Sequence, residues 1–297
     1  MSTLVRTTIS DSFGILIERI QPLESESEAA RQHFATIRTR LETVFKVSDC
    51  KRIGSFARGT SIKGFSDTDL LATFRKSEFT WGGTLINSDT ALDNVRRALI
   101  ERYPFSDIRK DGIAIAIAFS DGRHVDVVPA IFDYMYDGKW PVYLIPDGVG
   151  GWMKTCPSLY DAYLDEANRQ SGGKLLYVAQ MMKFWRECRN PRIPLSSFHI
   201  EMVLASEHVC KGIKSYADCV LDLLRSLTRR ECRAIRDPYD IAGNIPAVKT
   251  ANQRERSLAT VVASRNHAAR AVSADALDDI NEARRQWDLV FNGNFPW

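Results

Sequence analysis

What this chain lacks narrows it first. Its longest strictly apolar run, Ile113 to Phe119, is seven residues, against the roughly 20 that a membrane-spanning helix needs, so no membrane partner is expected. The opening MSTLVRTTISDSFG has no apolar stretch of the length a secretory leader requires, and the expected location is the cytoplasm. None of the six cysteines forms a C-x-x-C pair, and in a reducing compartment they read as buried thiols. His208, Cys210, Cys219 and Cys232 lie close enough in sequence to raise zinc, but three of them fall on an apparent helix at spacings that do not converge on one face. An excess of charge is missing too. Lys and Arg total 40 against 37 Asp and Glu, a net charge of +3, too small for a constitutive grip on DNA. Repeats and low-complexity tracts are absent.

What remains is ordinary globular composition, with a length of 297 residues that suits two domains or one large one. Ser25-x-x-Glu28 reads as a capping box, and Phe34, Ile37, Leu41, Val44 and Phe45 follow at helical spacing, which predicts one long helix to about Lys46. A short strand is expected over Leu70 to Phe74 and a helix over Ala91 to Arg102. Ile113 to Phe119 alternates large and small residues, and His124-Val-Asp-Val-Val128 follows Asp121-Gly122, a strong hairpin signal because Asp-Gly supplies the positive φ angles of a tight turn. Pro129 is expected to end that second strand. From Ser158-x-x-Asp161 onward the chain reads as helical. Expected helices include LLYVAQMMKFWREC, one beginning near Ser197, and a last one from Ser273 to Phe291 with Leu277, Ile280, Ala283, Trp287 and Val290 on one face.

The chemistry-bearing residues begin at Gly54-Ser-Phe-Ala-Arg-Gly-Thr-Ser61. A P-loop needs lysine where Thr60 stands, so a P-loop NTPase is rejected, although short glycine turns still offer backbone N–H groups to phosphate. Asp67 and Asp69 follow at the start of a strand, where residues two apart project to one face, about 6–7 Å apart. Paired carboxylates of this kind suit hard divalent cations. Asp126 interrupts an otherwise apolar strand, where an unpaired carboxylate is costly. Three acids on adjacent strands beside a Gly-Ser turn suit a pair of Mg²⁺ ions in phosphoryl transfer. Arg225, Arg229, Arg233 and Arg236, with Arg230 adjacent, recur at helical spacing as one basic stripe, read as a solvated face in preference to a site for an RNA, a polyphosphate or an acidic partner.

Gly54-Ser55, Gly59-Thr60, Asp67-x-Asp69 and Asp126-Val-Val-Pro129 together resemble the nucleotidyltransferase pattern of the DNA polymerase β superfamily. Within it they most resemble the CD-NTases, bacterial relatives of cyclic GMP-AMP synthase and oligoadenylate synthetase. The likeness continues through Lys183-Phe184-Trp185 and through Leu195 to Leu204. It implies an α/β (α+β) fold: a polymerase-β-like core with a mixed sheet (residues 1–157), packed on a C-terminal helical domain (158–297) with a cleft between them. It also implies roles. Asp67, Asp69 and Asp126 would be the catalytic carboxylates and hold two Mg²⁺ ions, with Mn²⁺ the alternative. Gly54 and Ser55 would contact the donor's β- and γ-phosphates, Lys183 and Ser197 would close on the triphosphate, and Phe198 would stack a base.

The function so implied is synthesis of a cyclic di- or trinucleotide second messenger from NTPs (ATP, another NTP, or both) with release of pyrophosphate, in bacterial anti-phage (CBASS) signalling. Its partners would be NTP substrates and an RNA or protein regulator, with a downstream effector responding to the product. Alternatives are a template-independent transferase making linear oligonucleotides or extending RNA, and a catalytically inactive nucleotide-binding module. No counterpart of the animal sensor's zinc element is found, so DNA-triggered activation is not expected. The terminal Phe295-Pro296-Trp297 differs from the small residue expected of relatives conjugated at that end.

Overall fold

The computed structural model describes residues 8–65 and 68–297; Asp67 lies outside the described residues. The chain opens with α1 (Ile9–Ile20) and α2 (Glu24–Val44), then β1 (Val47–Ile53), the single turn α3 (Gly54–Ala57) and β2 (Thr68–Phe74). A ribbon of β3 (Thr80–Trp81) and β4 (Thr84–Leu85) leads to α4 (Ser88–Arg102). The strands β5 (Asp107–Asp111), β6 (Ala114–Ala118), β7 (His124–Tyr136), β8 (Trp140–Pro146) and β9 (Trp152–Thr155) follow. Then come α5 (Pro157–Gln170), α6 (Lys174–Glu187), α7 (Ser197–Ser206) and α8 (Tyr216–Arg229). A second ribbon, β10 (Ile235–Arg236) and β11 (Asn244–Ile245), precedes α9 (Ala251–Ala276) and α10 (Ile280–Val290).

These elements divide into two compact units, residues 22–162 and residues 8–21 with 163–297, the division falling inside α5. In the first unit the main sheet runs β1-β2-β7-β6-β5, with β8 on the far half of β7 and β9 on β8. All its pairings are antiparallel except β2 with β7. Side chains alternate across the strands, so Leu70, Val125, Val127, Ile115 and Ile108 pack one face against Ile37 and Leu41 of α2 and Leu92 and Val95 of α4. Each such side chain contributes roughly 1.5–3 kcal/mol on burial. Leu71, Val128, Ala130, Tyr143 and Ile145 form a smaller cluster on the opposite face.

The hairpin expected around Asp121-Gly122 is present as β6 and β7, with Gly122 at φ +80°. Pro129, expected to end β7, does not. The strand runs on to Tyr136, with Pro129 in register beside Ala72 of β2. On its other edge β6 pairs only as far as Val127 and β8 begins at Ile131. The proline therefore sits in a gap between two ladders, where its missing N–H breaks no bond.

Helix starts differ from expectation in two places. The cap of α2 is Leu23, whose N–H donates to Glu26 Oε2 at 2.8 Å, while Glu28 pairs with Arg31 and Gln32. The last helix begins at Ile280, with Asp279 accepting from the Glu282 N–H. Leu277 lies in the break before it, 81% exposed, whereas Ala283, Trp287 and Val290 are buried as expected. Within the helical unit Phe13 of α1 packs edge-on to Trp287 at 4.9 Å and Phe295 at 5.1 Å. Such aromatic contacts add to the burial that joins α1 to α10.

The basic stripe does not form. Helix α8 ends at Arg229, Glu231 and Cys232 take positive φ, and Arg236 lies in β10. Each arginine is paired with a nearby acid: Arg225 with Asp222, Arg229 and Arg230 both with Glu207, Arg233 with Glu231, and Arg236 with Asp240. Once the helix stops, a periodicity counted through its end no longer describes one face.

Candidate functional site

The site in the sheet unit is built from backbone register. Asp69 and Asp126 are direct partners on the parallel strands β2 and β7, so their carboxylates leave the sheet on the same face, one strand spacing (about 4.8 Å) apart. Their neighbours Leu70, Val125 and Val127 turn into the core on the opposite face. The core on one side thus fixes which way the acids point on the other. The row continues across the sheet: Ile53 is opposite Asp69, Ala116 opposite Asp126, and Arg109 opposite Ala116. Among the described residues no group of three or more His, Cys, Asp or Glu is arranged to hold a metal. Asp69 and Asp126 nevertheless form a two-carboxylate donor set of the kind hard cations take.

Gly54 stands against Asp69. It has φ +71°, and a Cβ added there would lie 1.9 Å from Asp69 Oδ2, well inside contact distance. Glycine is required twice over, by backbone conformation and by the closeness of the carboxylate. Ser55 is buried, and its carbonyl accepts from the Thr60 N–H at 2.9 Å, while the Arg58 N–H donates to Gly54 O at 3.2 Å. The turn is thereby closed on itself. It is also tied to the start of α5. Arg58 Nη1 donates to Asp161 Oδ1 at 3.2 Å, and Lys51 Nζ, from β1, donates to Ser158 Oγ at 3.1 Å and lies over the Tyr143 ring. Burial lowers the Lys51 pKa, with nearby Asp49 and Asp161 acting against it. Sequence reasoning took Ser158 and Asp161 for a helix start and did not find their bonds to Lys51 and Arg58. Partners about 100 residues away in the chain leave no local signal.

In the helical unit Lys183 is only 7% exposed, on a stretch of α6 where Gln180 is also buried and bonds Gln21 at 2.9 Å. A solvated surface lysine is therefore excluded, because a buried ammonium requires compensation. Ser197 is the first residue of α7 and Ser196 its cap, accepting from the His199 N–H. Ser197 and Phe198 are both partly exposed, so Phe198 is not sealed in the core. The start of α7 is braced from residues 245–247. The Ser196 N–H donates to Ala247 O at 2.8 Å, and fully buried His199 meets Ile245 O through Nδ1 at 3.3 Å. Burial lowers the His199 pKa, which the bond to Ile245 offsets in part. A neutral ring with its proton on Nδ1 fits this contact.

All six cysteines are free thiols. Burial pushes Cys50 up to about 12 and Cys232 up to about 11, which keeps both protonated and unreactive.

A family model for the Second Messenger Oligonucleotide or Dinucleotide Synthetase domain matches residues 7–168. A protein described as a probable cyclic nucleotide synthase, from Bacillus cereus (strain VD146), is 24% identical over 279 residues, covering 82% of this chain and 81% of its own. CdnC of E. coli MS115-1, solved with ATP, superposes with a TM-score of 0.76 at 16% identity, over 98% of this chain and 100% of that one. The same protein has been solved in a complex with HORMA-deltaN (TM-score 0.74, 17% identity, 97% and 98% covered). The CD-NTase CdnG of Bradyrhizobium diazoefficiens, solved with GTP, gives a TM-score of 0.67 at 15% identity, over 95% and 98% of the two chains.

Proposed function

This chain belongs to the CD-NTase family, with a second messenger oligonucleotide or dinucleotide synthetase domain, and from that premise we propose that it joins NTPs into a cyclic di- or trinucleotide. Its mixed sheet and helices have the polymerase-β-like fold. The observation that carries the proposal is the in-register pair Asp69 and Asp126 with Gly54 pressed against Asp69.

In the reaction we propose, a ribose 2′- or 3′-oxygen of the acceptor bonds to the donor's α-phosphorus. The α–β phosphoanhydride bond breaks, pyrophosphate leaves, and the hydroxyl proton passes to solvent. A second transfer within the linear product closes the ring. Asp69 and Asp126, together with Asp67, would hold two Mg²⁺ ions; when bound, these acidify the attacking hydroxyl and offset charge on the leaving pyrophosphate. Gly54 and Ser55 receive the donor's β- and γ-phosphates against the closed turn. Lys183 and Ser197 grip the triphosphate, and Phe198 stacks the donor base, a contact worth roughly 1–3 kcal/mol.

The buried state of Lys183 fits a cation held in place and not a solvated one. The cellular setting we propose is cytoplasmic anti-phage signalling, with the product acting on a separate effector. A protein regulator is supported by the complex of E. coli CdnC with HORMA-deltaN. The test is incubation of the protein with labelled NTPs, singly and in pairs, with Mg²⁺ or Mn²⁺, followed by phosphatase. A cyclic product keeps its label after phosphatase. Products that carry 5′-triphosphates and lose them would establish the linear-transferase alternative instead.

A further inference from the structure

The row of side chains holding the two carboxylates does not end at Asp126. It runs on through Ala116 of β6 to Arg109 of β5, the edge strand. Which face Arg109 takes is set by its neighbours. Ile108 is buried in the core on the α4 side, and its carbonyl accepts from Arg96 of α4 at 2.9 Å. Lys110 points the same way, to Asp93 and Asp89 of α4. Alternation then sends Arg109 to the face of Asp69 and Asp126. Two strand spacings, about 10 Å, separate its backbone from that of Asp126, and the methyl of Ala116 is the only side chain between them in the row. Arg109 is 67% exposed at its side chain and its partner Asp107, 3.3 Å away, is 64% exposed, so the contact leaves the guanidinium free to exchange. Asp107 and Asp111 share the face one pleat to either side, which confines the positive charge to the row that holds Asp126.

The two ends of this row differ. Gly54 lies against Asp69, and the proposed donor triphosphate lies with it at that end. The reacting phosphorus is then at the carboxylates, and the acceptor nucleotide occupies the side toward Arg109. In a first round the acceptor is itself an NTP, and its own triphosphate must lie clear of the donor's. We propose that Arg109 binds the 5′-triphosphate of the acceptor nucleotide, so that the enzyme selects acceptors able to serve as the donor end in a later ring closure. The inference rests on the nucleotidyl-transfer reading above.

The two are separable by experiment. A 2′,3′-dideoxy-NTP labelled at the α-phosphate donates but cannot accept, and an α,β-methylene-NTP accepts but cannot donate. With this donor, transfer is measured to the methylene triphosphate and, separately, to the free nucleoside, for wild type, Arg109→Ala and Arg109→Lys, each base in turn. Wild type is expected to favour the triphosphate acceptor. Arg109→Ala should lower kcat/KM for that acceptor roughly tenfold to a hundredfold, the scale of a lost charge-assisted hydrogen bond, and leave transfer to the nucleoside within about twofold. Arg109→Lys should recover part of the loss. Equal loss on both acceptors, or none on either, would overturn the role of Arg109 while leaving the transferase reading in place. No transfer by wild type to either acceptor would overturn both.

Discussion

In the sheet unit Asp69 and Asp126 meet because two strands pair in one register, and the buried apolar side chains that flank them along each strand leave no second way to face. In the helical unit Lys183 and Ser197 are held differently. Lys183 is buried on the side of α6, and Ser197 is held by a cap and a brace from the distant segment 245–247. Register is nearly all-or-none, since a slip of one residue turns every side chain to the other face. A helix start can shift by fractions of an ångström and keep its side chains approximately in place. The contrast implies that changes in the sheet unit abolish turnover, while changes in the helical unit grade it.

The largest effect should follow Asp69→Asn or Asp126→Asn. Each removes one charge from a partly exposed side chain and no core contact, so turnover should fall roughly a thousandfold with the thermal midpoint little changed. Near-normal rates in either variant would break the comparison at its strongest point. Gly54→Ala comes next. The new methyl must displace the Asp69 carboxylate and holds alanine at φ +71°, a strain of about 1–3 kcal/mol. Turnover should fall roughly a hundredfold, and a structure of the variant should show Asp69 moved.

For the helical unit the expected changes are smaller and lie in substrate affinity. Lys183→Ala should raise the apparent KM for NTP roughly tenfold and Ser197→Ala a few-fold, with kcat less affected. Kinetic saturation curves check both, and a loss of kcat equal to that of Asp69→Asn would erase the distinction between the units. The smallest effect concerns the β6–β7 turn. Burial alone would raise the Asp121 pKa, but bonds from His33 and from the Arg123 N–H and guanidinium bring it down to about 2 from 3.8. A carboxylate depressed on folding contributes stability above its unfolded value and loses it as pH falls through the folded one. Wild type should therefore lose stability between pH 3.8 and about 2 more steeply than Asp121→Asn, as read from urea midpoints. Identical slopes would remove this anchor of the hairpin.

The legible features were those carried by local spacing and turn chemistry. Asp121-Gly122 between two alternating runs announced the hairpin, because the period and the positive-φ turn lie within one short window. The Gly54-Ser55 turn, Asp69 and Asp126 could be singled out from residue type and from the family pattern, and the turn and those two acids do lie together. Pro129 misled because its cost depends on whether a neighbour needs its N–H. The arginine stripe misled because a count of helical spacing does not detect the end of α8. Helix α9 went unread for a related reason. Apart from Val261, its buried face is Ser257, Ser264, Ala268, Ala271 and Ala274, small residues that carry little hydrophobic signal.

By itself, then, the sequence determined the family, the α/β class, the hairpin and the residue types of the candidate site, all of which are written in short windows of period, turn and motif. Only the tertiary structure decided that β2 lies parallel to β7, so that Asp69 faces Asp126 with Arg109 at the end of the same row. It also decided that Lys51 and Arg58 reach α5, and that the small face of α9 is buried. Pairing between distant segments is selected by the fit of whole faces, and no window of the chain contains both partners.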